Sequence, residues 1–192
     1  MAAGAPPPSP PQPIFYYDLG SPECYVVAEQ IMAALPIVPE WAPVHGETFL
    51  AASEPDRRSI ELLARELELQ PVRWPTVWPP DTRLAMLTAT YAKRVGRAVA
   101  FSLAAFRQAF AGGRDLGAQS TVLLAAAACE MHPTAVLKGV SLRSVQIALH
   151  DAGARAQDAG VRTLPAVQVG ERVFEGRNGL QTAAATLAGL AT

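Results

Sequence analysis

The sequence predicts a single α/β domain in which a block of helices separates two groups of strands. Short runs of aromatic and β-branched residues, typical of buried strands, occur near both ends of the chain. Between them, from about residue 54 to residue 160, apolar residues recur at helical spacing. Half of the 192 residues are apolar, which suffices for one hydrophobic core.

The N-terminal part of the domain is predicted to form a strand, a helix and a second strand. The run "IFYYD", residues 14–18, predicts a short buried strand. Ser21 is a favoured N-cap residue and Pro22 suits the first helical position, so we expect a helix from there to about Leu35. Prolines interrupt "IVPEWAPV", residues 37–44, which predicts a weak edge strand.

The central block predicts five helices. The first follows from the spacing of Ile60, Leu63 and Leu67 on one helical face. A proline- and tryptophan-rich loop, "QPVRWPTVWPPD", comes after it. The remaining helices are expected at about residues 84–95, 101–110, 120–131 and 141–160.

The C-terminal part is predicted to form a hairpin and a closing helix. Two short apolar runs in "PAVQVGERVF" flank Gly170-Glu171, as in a β-hairpin. The stretch "LQTAAATLAGLA" then has the composition of a helix. The predicted order is therefore β-α-β, a helical block, and β-β-α, which indicates one α/β domain with an all-helical insertion.

Composition excludes several classes of function. With 16 basic and 17 acidic residues, the chain lacks the charge field that binds nucleic acid or a membrane surface. Its two cysteines and three histidines show no metal-ligand spacing, so we expect no metal. No apolar run approaches the roughly 20 residues that span a bilayer.

The N-terminal stretch "MAAGAPPPSPPQP", residues 1–13, predicts an extended, disordered tail because of its proline content. It has neither the basic flank nor the apolar stretch of a signal peptide. We therefore expect a cytoplasmic protein. In a reducing compartment, a structural disulfide between Cys24 and Cys129 is not expected.

Four stretches together resemble a known family: "FYYDLGSPECY", "PVRWPTVWPPDT", "GRAVAFSLAAFRQAFAGGRDL" and "GVRTLPAVQVGERVFEGRNGL". Their order and spacing are similar to those of the DsbA superfamily, which elaborates the thioredoxin fold. The similarity is greatest to the branch that holds 2-hydroxychromene-2-carboxylate isomerases and kappa-class glutathione transferases. The resemblance covers about residues 14–190 and implies a thioredoxin-fold domain over residues 14–192.

The resemblance assigns roles to specific positions. Ser21 and Cys24 occupy the two cysteine positions of the Cys-x-x-Cys turn found in dithiol members. The attacking thiol is therefore replaced by a hydroxyl, which cannot carry out thiol-disulfide exchange. Leu164 and Pro165 fall on the cis-proline position, which faces the start of the first helix in this superfamily.

In the isomerase and kappa-transferase branch, the resemblance implies that the reactive sulfur belongs to a bound cofactor. The Ser21 hydroxyl and the helix N-terminus would hold that sulfur as an anion, with Leu164 and Pro165 docking the cofactor backbone. Trp74 and Trp78 would line the substrate pocket. The cofactor would be glutathione or another low-molecular-weight thiol, because Asn178 stands where glutathione-binding members commonly have an acidic residue.

Alternatives remain at each position. Cys24 could act as a lone thiol in an oxidoreductase, since a helix N-terminus favours a thiolate. The chain could instead be a non-catalytic thioredoxin-fold module that binds a protein partner or forms a homodimer. Ser21 would then be only a helix cap, Cys24 a core residue, and Trp74 and Trp78 a packed loop. For the enzyme hypotheses, the expected partners are small molecules.

Overall fold

The structure of the protein is a computed structural model that describes residues 10–46, 49 and 55–190. The predicted tail at residues 1–13 therefore falls largely outside the described residues, as does the predicted start of the insertion at residue 54. No helix in the described part of the chain is long and apolar enough to cross a membrane.

The described residues form four strands and eight helices in the predicted order of β-α-β, helices, and β-β-α. They are β1 (Ile14–Tyr17), α1 (Pro22–Ala34), β2 (Glu40–Pro43), α2 (Arg57–Glu66), α3 (Arg83–Arg94), α4 (Ala98–Phe110), α5 (Gln119–Ala127), α6 (Pro133–Ser141), α7 (Arg143–Asp158), β3 (Ala166–Val169), β4 (Arg172–Glu175) and α8 (Gly179–Leu190).

The strands form one mixed sheet in the order β2-β1-β3-β4. β1 pairs parallel with β2 and antiparallel with β3, and β3 pairs antiparallel with β4. The predictions of an edge strand for β2 and of a C-terminal hairpin for β3 and β4 are confirmed. Gly170 turns that hairpin with a φ of +60°, a conformation that glycine adopts without steric cost.

The sequence-based reading missed helix α6. The helix expected at about residues 120–131 was followed by no other before residue 141, whereas α5 ends at Ala127 and Pro133 is the first residue of α6. The imidazole Nδ1 of His132 accepts a hydrogen bond from the Thr134 N–H at 3.3 Å and caps the new helix. Proline fits the first helical position as well as it ends a helix, so the residue by itself does not distinguish the two.

The side chains of β1 alternate between two hydrophobic clusters, as strand geometry requires. Phe15 and Tyr17 face the larger cluster, which the helical block completes. The Tyr17 hydroxyl lies 2.6 Å from Ser102 Oγ of α4, so its polar tip is paired within the core. Tyr16 points the other way, into a smaller cluster with Ala152 of α7. The sheet is therefore covered on both faces.

Helix α6 lies against α3 at a glycine that has no room for a side chain. A Cβ on Gly139 would lie 2.7 Å from Cγ of the Tyr91 ring. We expect Gly139→Ala to lower the free energy of unfolding by about 1–3 kcal/mol, because the added methyl group must displace the ring. Chemical denaturation measures this change.

Gly189→Ala is the matched control, since a Cβ at Gly189 would meet no heavy atom within 4 Å. Alanine in an open helical position stabilises by about 0.5–1 kcal/mol relative to glycine. The changes in the free energy of unfolding should therefore have opposite signs in the two variants. An unchanged free energy of unfolding in Gly139→Ala would show that α3 and α6 are packed less closely than the Gly139–Tyr91 contact indicates.

Candidate functional site

The turn between β1 and α1 ends in a capped helix. The Ser21 N–H donates to the Asp18 carbonyl at 3.2 Å, and Ser21 adopts an extended conformation with φ −91° and ψ 119°. Its Oγ accepts a hydrogen bond from the Cys24 N–H at 3.1 Å. The hydroxyl thus serves as the N-cap of α1 and still has its own proton to donate.

The turn is held by the buried carboxyl of Asp18. Its Oδ1 accepts from the Gly20 N–H at 2.7 Å, and its Oδ2 accepts from the Gly46 N–H at 2.6 Å. Thr82, the N-cap residue of α3, donates its hydroxyl to the same Oδ2 at 3.3 Å instead of capping its own helix. One side chain therefore joins the Ser21 turn, the loop after β2 and the start of α3.

Burial raises the pKa of the Asp18 carboxyl above its ordinary value because a low-dielectric environment disfavours the charged form. The hydrogen bonds from Gly20, Gly46 and Thr82 and the proximity of His45 oppose this effect without overcoming it. The native state therefore holds the Asp18 proton more tightly than the unfolded chain does.

The segment before α3 packs closely on the Ser21 turn. A Cβ on Gly20 would lie 2.7 Å from Cγ2 of Thr82 and 3.2 Å from Cγ of Pro80. Residue 20 must therefore be glycine for these segments to meet. This contact brings the proline- and tryptophan-rich loop to the start of α1.

The thiol of Cys24 is shielded from solvent. The residue is 0% exposed, and burial raises its pKa to about 12 although hydrogen bonding to Ser21 and the Asp18 backbone lowers it. At neutral pH the thiol is therefore protonated. The effect of the helix N-terminus, which would favour a thiolate, is outweighed by desolvation.

Leu164 and Pro165 lie beside the end of β1. β1 and β3 pair antiparallel with Tyr16 opposite Ala166, so the same register places Pro165 opposite Tyr17. The Leu164–Pro165 peptide bond is cis, as the resemblance implies, and Trp78–Pro79 is a second cis bond.

Hydrogen bonds from the end of the β3–β4 hairpin hold the loop that carries Leu164. Oε1 of Glu175 accepts hydrogen bonds from the backbone N–H groups of Arg162 and Thr163, and the Gly176 N–H donates to the Pro165 carbonyl at 2.8 Å. No backbone hydrogen bond to Leu164 occurs within the described part of the chain. Its N–H and C=O therefore have no backbone partner among the described residues.

Trp74 and Trp78 lie together on the helical block. Their ring centroids are 5.8 Å apart, and the guanidinium of Arg57 lies 4.9 Å from the Trp74 ring and 5.8 Å from the Trp78 ring. The Trp74 indole N–H donates to Glu61 at 2.7 Å. Trp74 also contacts Phe110 edge-on, and Phe110 stacks on Tyr25 of α1, so an aromatic contact path joins the tryptophans to α1.

Asn178 lies in the turn before α8 and is exposed. Its carbonyl accepts from the Thr182 N–H at 3.4 Å. The neighbouring Arg177 donates to Ser59 of α2 at 2.8 Å. Among the described residues, no hydrogen bond or ion pair joins Asn178 to the Ser21 turn. The structure thus joins Ser21 and Cys24 directly and brings the Leu164 loop to the end of β1 that precedes them.

Sequence reasoning missed the role of Asp18, which it included in the first strand. β1 ends at Tyr17, and an acidic residue directly after a buried strand and before Gly-Ser was the available signal. No comparable sequence pattern marks Gly46 and Thr82 as hydrogen-bond partners of Asp18. In the described part of the chain, no group of three His, Cys, Asp or Glu side chains could hold a metal ion.

The sheet order, the helical block between β2 and β3, and the position of the cis-proline define the thioredoxin fold with a helical insertion. A family model for the DSBA-like thioredoxin domain matches residues 14–188. The chain therefore belongs to this family. No protein of curated function matches its sequence.

Solved structures with the same fold are enzymes of more than one kind. The chain is similar to a 2-hydroxychromene-2-carboxylate isomerase, with a TM-score of 0.82, 14% identity and 93% and 95% of the two chains covered. It is also similar to a probable DsbA oxidoreductase from Streptomyces coelicolor (TM-score 0.77, 15% identity, coverage 94% and 90%). The cytosolic disulfide reductase DsbM from Pseudomonas aeruginosa, solved with GSH, gives a TM-score of 0.63 at 14% identity (coverage 94% and 97%).

The raised pKa of Asp18 predicts a pH-dependent stability. Asp18→Asn replaces one acceptor oxygen, so we expect the variant to be about 1–3 kcal/mol less stable at low pH. A raised native pKa gives stability that is complete below the unfolded pKa and is lost as pH rises through the native pKa. The difference in free energy of unfolding between the wild type and Asp18→Asn should therefore become smaller as the pH rises.

Chemical denaturation of both proteins from about pH 4, the ordinary carboxyl pKa, upward measures this difference. Asp115→Asn is the control for the loss of a carboxyl from a turn, since Asp115 accepts from the Gly117 N–H at 2.8 Å near the surface. A deficit that grows with pH would show that the hydrogen-bond donors, and not burial, dominate the titration of Asp18.

Proposed function

We propose that this protein is an enzyme that binds a small thiol cofactor at Ser21 and acts on an electrophilic organic substrate, as an isomerase or a transferase. The observation that carries the proposal is the pairing of an N-cap serine with a fully buried Cys24. The turn keeps the features that stabilise a sulfur anion but offers no reactive thiol. When bound, the cofactor would supply the nucleophilic sulfur.

The start of α1 fits a thiolate. Ser21 Oγ is already oriented by the hydrogen bond from Cys24 N–H, so its own proton can be donated outward to an anion. The positive end of the helix dipole adds to this stabilisation. Both effects lower the pKa of a thiol placed there, because both favour its charged form.

The Leu164 loop fits the backbone of the cofactor. Its N–H and C=O are without backbone partners among the described residues, and its register places it beside the start of the turn. A cysteinyl group bound in extended form would pair with them as in a strand. Glu175 fixes the loop through Arg162 and Thr163, so little ordering is required on binding.

We infer that Trp74 and Trp78 form the apolar side of the substrate pocket. Trp74 contacts Phe110, and Phe110 stacks on Tyr25 of α1, so the tryptophans are linked by ring contacts to the helix that begins at the Ser21 turn. The partners would be small molecules and the location the cytoplasm. Glutathione is the first thiol to test because the disulfide reductase of the same fold was solved with GSH. Asn178 stays a candidate contact for the far end of the cofactor.

The lone-thiol alternative is disfavoured by the state of Cys24. A thiol that is 0% exposed, with a pKa of about 12, is neither accessible to a disulfide nor ionised at neutral pH. The non-catalytic alternative remains the outcome expected if no thiol binds.

Removal of the Ser21 hydroxyl tests the proposal. We expect the wild type to bind glutathione in isothermal titration, and Ser21→Ala to bind it about ten- to a hundredfold more weakly, because a charge-assisted hydrogen bond contributes about 1.5–3 kcal/mol. The proton release on binding should also fall, since the hydroxyl no longer stabilises the thiolate.

Ser21→Ala also removes a helix cap, so a second cap deletion is the control. His132→Ala deletes the cap of α6 and should leave glutathione affinity unchanged. Absence of binding by the wild type to glutathione and to other small thiols would overturn the proposal and leave the non-catalytic module. Equal affinity for wild type and Ser21→Ala would return Ser21 to a capping role.

Restoration of the missing thiol gives a second prediction. The wild type should reduce insulin no faster than background, because the first position of the turn is Ser21. Ser21→Cys should raise the rate clearly above background, since the introduced thiol would lie at the start of α1 with Cys24 one turn behind it. The insulin turbidity assay with dithiothreitol measures both rates.

Ser120→Cys is the matched control. Ser120 is exposed in the first turn of α5, where Leu123 takes the place that Cys24 has in α1. It should show no gain. Activity in the wild type that Cys24→Ser abolishes would establish the lone-thiol alternative instead.

A further inference from the structure

A cavity of about 280 Å³ lies along the outer edge of β2, between this strand and helices α3 and α7. Its charged lining residues are Glu40 of β2, Lys93 and Arg94 of α3, and Arg155 of α7. The remaining lining residues are small or apolar. Three cations thus converge on one concave surface from two helices that are distant in the sequence.

The described residues neutralise only part of the positive charge in this cavity. Glu40 pairs with Lys93 at 2.6 Å, which leaves both arginines. The guanidinium of Arg94 donates to Oγ and to the carbonyl of Ser144, at 2.8 and 2.6 Å, and both acceptors are uncharged. The Arg155 carbonyl accepts from the Ala159 N–H at 3.0 Å at the end of α7, but its guanidinium forms no hydrogen bond or ion pair within the described part of the chain. The lining therefore carries a surplus of two positive charges.

We propose that this cavity is a binding site for a small organic dianion whose carboxylate or phosphate oxygens pair with Arg94 and Arg155. Planar guanidinium groups bind such oxygens through two parallel hydrogen bonds. Both Arg94 and Arg155 are exposed, so a dissolved anion can reach them and their attraction for it depends on ionic strength. The surplus of two charges matches a dianion better than a monoanion.

The size of the cavity limits the ligand. Pockets for drug-sized molecules have volumes of about 300–1,000 Å³, so a cavity of about 280 Å³ suits a compact metabolite. A dicarboxylic acid or the phosphate monoester of a short chain fits this limit. A dinucleotide does not.

The cavity is separate from the Ser21 turn. None of residues 18–24, which form the turn and the start of α1, lines the cavity. The cavity's charged residue on β2, Glu40, lies opposite Ile14 at the far end of β1, and only Pro43 of the lining pairs with Tyr17 next to the turn. The cavity also opens on the side of β2 that faces away from β1. This site therefore does not depend on the function proposed for Ser21.

Isothermal titration and thermal denaturation of the full chain at low ionic strength test the site, with inorganic phosphate and malonate as probes. We expect saturable binding and a rise in Tm with at least one probe, and the tighter probe identifies the class of anion. Arg155→Gln should weaken binding by about tenfold or more, as the loss of a charge-assisted hydrogen bond implies. Added salt should weaken it further.

Two further variants make the result specific. Glu40→Gln removes the one carboxylate among the described lining residues and should strengthen binding, the opposite of Arg155→Gln. Arg58→Gln removes an exposed arginine outside the cavity and should leave binding unchanged. Absence of binding with both probes at millimolar concentration, or an equal loss in Arg58→Gln and Arg155→Gln, would overturn the proposal.

Discussion

The arrangement of the candidate site depends on one buried carboxyl group. Asp18 receives hydrogen bonds from Gly20, Gly46 and Thr82, which belong to three separate segments of the chain. Each of these donors lies in or near the interior, and without an acceptor each would carry an unfavourable desolvation free energy. The position of the Ser21 turn relative to the sheet and to the helical block therefore follows from the need to pair these groups.

Features that depend on neighbouring residues were predicted from the sequence, whereas contacts between distant residues were not. The strands and the hairpin were predicted because runs of aromatic and β-branched residues and a turn glycine are local features. Helix α6 was missed because Pro133 is compatible with either end of a helix. Ser21, Cys24 and Pro165 were identified as a set only through the family resemblance. The partners of Asp18 lie 28 and 64 residues away, so no local pattern could reveal them.

The turn between β1 and α1 could support different reactions, because the backbone that forms it does not itself supply the nucleophile. The fold is shared at a TM-score of 0.82 with a chain that is 14% identical, so shape persists while side chains change. The helix N-terminus and the cis-proline loop are features of the backbone, whereas the cap is the Ser21 side chain. In the function proposed above, the Ser21 side chain at the first position leaves the reactive sulfur to a cofactor, while Cys24 is buried in the hydrophobic core.

The four-residue length of β4 has a consequence for self-association. A sheet edge with free N–H and C=O groups can pair with the edge of another molecule and start aggregation. Here the outer strand is short and has charged residues, Arg172 and Glu175, at its two ends. The guanidinium of Arg172 lies 4.9 Å from the centroid of the Phe174 ring, so it covers part of the apolar surface at this edge. At the opposite edge, α3 and α7 flank β2. Both edges are thus poor templates for fibril growth.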